Sequence, residues 1–258
     1  MARILVNSHR LCDAPPLPYP AQDDARVRHS PEIQEVSIVV IGSFTPDAVT
    51  PHWLAFHGLI SNEEAEEANF TSNHPSLSQI DLGWGKFYVD PNRIQFLTSQ
   101  SPWVRAQDFI LKLLTDVIPG TPSTAIGINI SGHYLLSFDE KEKLGHRLAP
   151  REPWGSWGEK LNNSEAANQS NGLTSITMRQ GSNLEHKHNT YIDANISSSG
   201  LLKPYGIRIY INDHYSYADT AEAKVSTEIS AQILNDFFDA SINRSSQIID
   251  DILDGIKS

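Results

Sequence analysis

Short stretches that alternate apolar and polar residues, closed by a helix with a broad apolar stripe, occur twice in this chain, and that order leaves few folds open. The first block runs from VSIVVIG (36–42) through QIDLGWGKFYVDPNRIQFLTSQ (79–100) to the helical segment WVRAQDFILKLLTDVI (103–118). Val104, Phe109, Leu113, Leu114 and Val117 form its stripe, which Pro119-Gly120 ends. The second block sets LTSITMRQ (173–180), HKHNTYIDANI (186–196) and YGIRIYIND (205–213) at meander spacing, before a helix over Thr227 to Leu253. The expected class is therefore α+β: two strand-rich units with largely antiparallel sheets, each covered by an apolar-striped helix. The order fits a pseudo-duplication, although residue identity between the blocks is slight. The units divide as 31–150 and 173–258, joined by a tryptophan-containing connector at 151–172. A proline-rich tail, 1–30, precedes them.

Local chemistry fills in the blocks. VSIVVIG is a continuous β-branched run, the pattern of a strand covered on both faces. Thr50 followed by Pro51 opens a helix, and Ser61 or Asn62 opens a second one over SNEEAEEAN, whose glutamates suit a helix N-terminus. Asp90-Pro91-Asn92 is turn chemistry between two alternating runs. TAIGINISGHYLLSF (124–138) reads as strand, with Ser131-Gly132 as a tight turn or a bulge, and DEKEKLGHRL (139–148) as a polar helix.

Charge and composition exclude several functions. Twenty Lys and Arg against 31 Asp and Glu give a net charge of -11, and the basic residues do not cluster, so nucleic acid is a disfavoured partner. No apolar stretch approaches the ~20 residues that span a bilayer, so no membrane span is expected. The start MARILVNSHR lacks a signal-peptide core, and Cys12 is the sole cysteine; a cytoplasmic location and no internal disulfide follow as expectations.

IVVIGSFTPDAVTPHWLAFHGLI, STAIGINISGHYLLSF, LGHRLAPREPW and IRIYINDHY, taken in that order, resemble a widespread but patchily distributed bacterial family of uncharacterised proteins. The resemblance runs from about residue 34 to about residue 217. It implies a bacterial protein and a place in accessory gene neighbourhoods such as phage-defence islands. It supplies no catalytic residue.

Candidate sites come from the residues alone. His186 and His188 stand two apart on a strand and so share a face, and Asp213 and His214 follow on the next strand; these four are the candidate metal ligands. No GxSxG elbow, phosphate loop or HExxH motif is present. Trp154 and Trp157, in HRLAPREPWGSWG, have two readings: rings buried between the units, which is favoured, or an exposed pair that grips a partner. In the last helix, Ile248, Ile249, Ile252 and Leu253 follow a polar stretch, and one strand of five or six residues is too short to cover 27 helical residues. Those four are expected to overhang and to meet a second copy or another protein, self-association being slightly favoured. The function expected is a non-enzymatic binding or adaptor protein acting through protein–protein contacts, without a cofactor. The alternative is a metal-dependent hydrolase with its site on the second sheet.

Overall fold

Side chains alternate along β1 (Ile33–Gly42), and the two sets meet different surroundings. Val36, Ile38 and Val40 are fully buried, whereas Ile41, on the other face, is 36% exposed. The β-branched run therefore marks a strand covered by helices on one face, not on both. Its buried set continues across β5 (Arg93–Thr98) as Phe96 and Ile94, and across β6 (Ser123–Tyr134) as Ile126, Ile128 and Ile130.

The computed structural model describes residues 29–162, 172–181, 189–217 and 226–256. With β2 (Asn69–His74), β3 (Leu77–Asp81), β4 (Lys86–Asp90), β7 (Ser175–Gln180), β8 (Asn189–Ser198) and β9 (Ile207–Ser216), these strands form one antiparallel sheet in the order β2-β3-β4-β5-β1-β6-β9-β8-β7. The class is α+β, and both blocks share this single sheet. Around it lie α1 (Pro51–Phe56), α2 (Asn62–Glu67), α3 (Val104–Lys112), α4 (Phe138–Leu148), α5 (Gly155–Asn162) and α6 (Thr227–Leu253).

The order of elements repeats. In each half a long strand (β1, β6) is followed by two short helices, then by a meander whose last strand (β5, β9) returns to pair with the first, then by a covering helix (α3, α6). The antiparallel β1–β6 pair joins the two runs of strands. Strand β6 pairs with β1 on one side and with β9 on the other, so the two blocks meet in one sheet. In the 151–172 stretch, Glu152–Trp154 and α5 are helical, and 163–171 lie outside the described residues.

Several local expectations hold. Thr50 accepts a hydrogen bond from the Trp53 amide at 3.1 Å, and Ser61 caps α2 in a reciprocal box with Glu64. Ser137 does the same for α4 with Glu140. At the β4–β5 turn, Asp90 Oδ1 accepts from the amides of Asn92 and Arg93. Ser131-Gly132, in contrast, is neither turn nor bulge, since β6 pairs without interruption through both residues. Gly132 is required there by the ring of Tyr134, because a Cβ would lie 2.7 Å from it.

The last helix does not overhang. Thr227 at its start bonds the carbonyls of Thr121 and Ile118, just before β6, while Asp250 near its end accepts from the His29 amide, beside the end of β6. Helix α6 thus runs along β6. A strand of 12 residues spans ~40 Å, as does a helix of 27. The five-to-six-residue strand assumed from sequence was too short, and so Ile249 and Leu253 are buried and Ile248 and Ile252 pack against the core. Arg147 of α4 closes the helix by donating to the carbonyls of Asp251 and Asp254.

Candidate functional site: the open face of the sheet

Helices α3 and α6 pack on the face that carries Val36, Phe96 and Ile128; Phe109 of α3 lies 4.8 Å from Phe96, ring to ring. Among the described residues no helix packs on the opposite face. That face is laid out in rows by the register. One row reads Ser37, Asn129, Asn212, Asp193 and Arg179 across β1, β6, β9, β8 and β7. The next reads Glu35, Ser131, Tyr210, Asn195 and Thr177, and on the other side Val39, Gly127, His214 and Tyr191 stand in line.

These side chains hold one another in place. Arg179 makes two bonds of 2.7 Å to Asp193 and lies over the Tyr191 ring, whose other neighbour is His214, stacked at 4.4 Å. The Arg179 hydrogen bonds hold the Asp193 carboxyl below the usual carboxylate range. Arg208 donates to Ser131 at 2.8 Å and sits over Tyr210. His133 bonds Ser199 at 2.8 Å. Burial, then the Arg208 charge, pulls the His133 imidazole below its ordinary value, and burial, then Arg179, does so for His214. Asn129 is only 2% exposed; its Nδ2 donates to Ser37, while its Oδ1 has no partner among the described residues.

The helix-covered face has its own polar seam. Asp213 and Tyr215 of β9 meet Ser241 and Arg244 of α6, with Arg244 ion-paired to the buried Asp213 and the Tyr215 hydroxyl 2.8 Å from Ser241. Nearer the start of α6, Tyr217 joins Ser123 and Ser230 at 2.6 Å each. Burial pushes both tyrosine hydroxyls up, with Asp213 adding to the effect at Tyr215. These groups fix the helix on the sheet.

Of the candidate metal ligands, Asp213 and His214 are neighbours on β9 and so project to opposite faces, Asp213 into the seam and His214 onto the open face. His186 and His188 lie outside the described residues. Among the described residues no group of three His, Cys, Asp or Glu could hold a metal ion. Trp154 and Trp157 are not buried between units: they are 57% and 55% exposed, with ring centres 5.3 Å apart. Burial between units requires two bodies with an interface between them, and both blocks share one sheet.

Motif reading does not find the open face. Its signal lies in the residues that alternate with Ile207, Ile209 and Ile211, namely Arg208, Tyr210, Asn212 and His214. Comparison of the chain with protein-family models, with curated proteins and with solved structures finds no match. None of the described helices is long and apolar enough to cross a membrane.

Proposed function

We propose that the chain is a binding protein that engages a protein partner through the open face of its sheet. The observation that carries this reading is the composition of that face. Tyr88, Tyr191, Tyr210, Arg93, Arg179 and Arg208 share it with Asn195, Asn212 and His214. Tyrosine and arginine dominate the energetics of protein interfaces, and Tyr, Ser and Asn are the staple of antibody contact loops. A merely solvated face would carry Lys, Glu and Thr in their place.

Charge supports a protein over a nucleic acid. Arg179 is paired with Asp193, Arg93 with Asp90, and Lys86 stands 3.9 Å from Asp81, so the face presents both signs in neighbouring pairs. A phosphate-tracking surface needs an excess of cations. The same pairs suit a partner of mixed charge, where complementary potentials give specificity.

The test is affinity capture from the native cells with the parent chain and with a Tyr191→Ala/Tyr210→Ala variant shown to be folded by its cooperative thermal unfolding. A discrete protein recovered with the parent and lost with the variant supports the reading. Identical recoveries from both would sink it.

A further inference from the structure

The turn that carries the two tryptophans is built to hold them out. Arg151 is only 8% exposed; it pairs with Glu142 of α4 and donates to the Leu161 carbonyl, clamping the turn to helices on either side. Helix α5 is seated so closely on this turn that a Cβ at Gly158 would lie 2.2 Å from the Arg151 carbonyl oxygen. Between the rings, the end of α4 and Leu173 runs a groove of about 180 Å³. Two large exposed rings beside a largely apolar groove form a patch that monomers seldom leave uncovered.

The occupant is indicated by the chain itself. Twenty-eight residues precede His29, and among them is APPLPYP (14–20), with four prolines in seven residues. Such a sequence favours the polyproline II helix, in which three residues make a turn of ~9 Å, so Pro15 and Pro18 share one face. Segments of this kind dock in aromatic-lined grooves. The tether reaches. His29 is anchored to Asp250 at the end of α6, where Arg147 of α4 also bonds, and Gly145 and Ala149 of α4 line the groove. Nine residue steps separate Pro20 from His29 and extend up to ~30 Å, whereas all of α4, 11 residues, is ~16 Å long. A tether of this length gives an effective concentration on the order of 1 mM, so a segment with an isolated Kd of ~0.1 mM stays docked about ten to one.

We propose that the Trp154–Trp157 groove is the docking site of the chain's own proline-rich segment, Ala14–Pro20. This does not depend on the open-face reading. A partner offering a similar segment then competes with the chain's own.

Cys12, the sole cysteine, lies two residues from the segment and accepts a bimane fluorophore, which nearby tryptophan quenches. In the labelled full chain the expected result is strong quenching that does not change on dilution. Emission should rise at least two-fold in a Trp154→Phe/Trp157→Phe variant, and equally when Pro15, Pro16, Pro18 and Pro20 are replaced by Ser. Unchanged emission in the tryptophan variant overturns the proposal. So does a rise in that variant without one in the proline variant, because the rings would then not be reading the prolines. Loss of quenching on dilution would assign the groove to a second copy of the chain and overturn docking in cis.

Discussion

The two faces of one sheet are made by the same nine strands, yet they have opposite chemistry. On β9, Ile207, Ile209 and Ile211 lie fully under α6, while Arg208, Tyr210 and Asn212, one residue along in each case, stay half-buried on the face without a helix. On β1, Val36, Ile38 and Val40 lie buried under the helices, while on the other face Ser37 is buried, Val39 half-buried and Ile41 exposed. The covered face is filled by large apolar side chains, and its polar seam of Asp213, Tyr215, Ser241 and Arg244 is joined by hydrogen bonds and an ion pair. The open face is polar, aromatic and mixed in charge, and its side chains are held by each other. The lesson is that stability and recognition are assigned to alternate residues of the same strands, so substitutions one position apart should have different consequences.

Phe96→Ala should have the largest effect on folding. It is fully buried against Phe87, Trp84 and Phe109, and loss of such a ring costs about 3 to 5 kcal/mol, read as a fall in the urea midpoint. Asp213→Ala should follow at about 2 to 3 kcal/mol, below the cost of a fully buried pair because Arg244 is 36% exposed. A smaller loss, about 1 kcal/mol, is expected for Tyr215→Phe, which removes one hydroxyl from the seam. Tyr210→Ala on the open face should cost about 1 kcal/mol or less while abolishing partner capture. If Tyr210→Ala unfolds the chain as readily as Phe96→Ala, the contrast between the faces is broken.

Acidification sharpens the same contrast, because the two shifted histidines, His133 and His214, both belong to the open face. Their folded values lie below the ordinary 6.5, so as the pH falls the unfolded chain takes up protons first. Their contribution to stability is complete above that value and declines as the pH falls toward the folded values. The urea midpoint should drop between about pH 7 and about pH 5.5, and less so in a His133→Asn/His214→Asn variant. An identical slope in parent and variant would show that other groups govern acid sensitivity.

What sequence could reveal here was local. The caps at Thr50 and Ser61, the Asp90 hairpin and the three strands of the second block depend on neighbours a few residues away, and each is where it is expected. The joining of both blocks into one sheet depends on β1 meeting β6, a pairing of residues such as Ile38 and Ile128 that lie far apart in the chain. TAIGINISGHYLLSF is legible as strand, but the platform under α6 is misjudged when a strand of average length, five or six residues, is set against it in place of the 12 of β6. That misreading shortened the platform under α6 and made Ile248, Ile249, Ile252 and Leu253 look unpartnered. The open face was half legible: the alternation in β8 and β9 is plain, but which set faces the helices is decided by packing.

The central claim is that the face without a helix is the one that meets a partner. An aromatic photo-crosslinking residue at position 210, which keeps a ring on that face, and the same residue at Phe56, 84% exposed on α1 in the helix layer, test it side by side in the native cells. The account predicts that position 210 captures one discrete protein and position 56 does not. Capture of that protein from position 56 and not from 210 would contradict it.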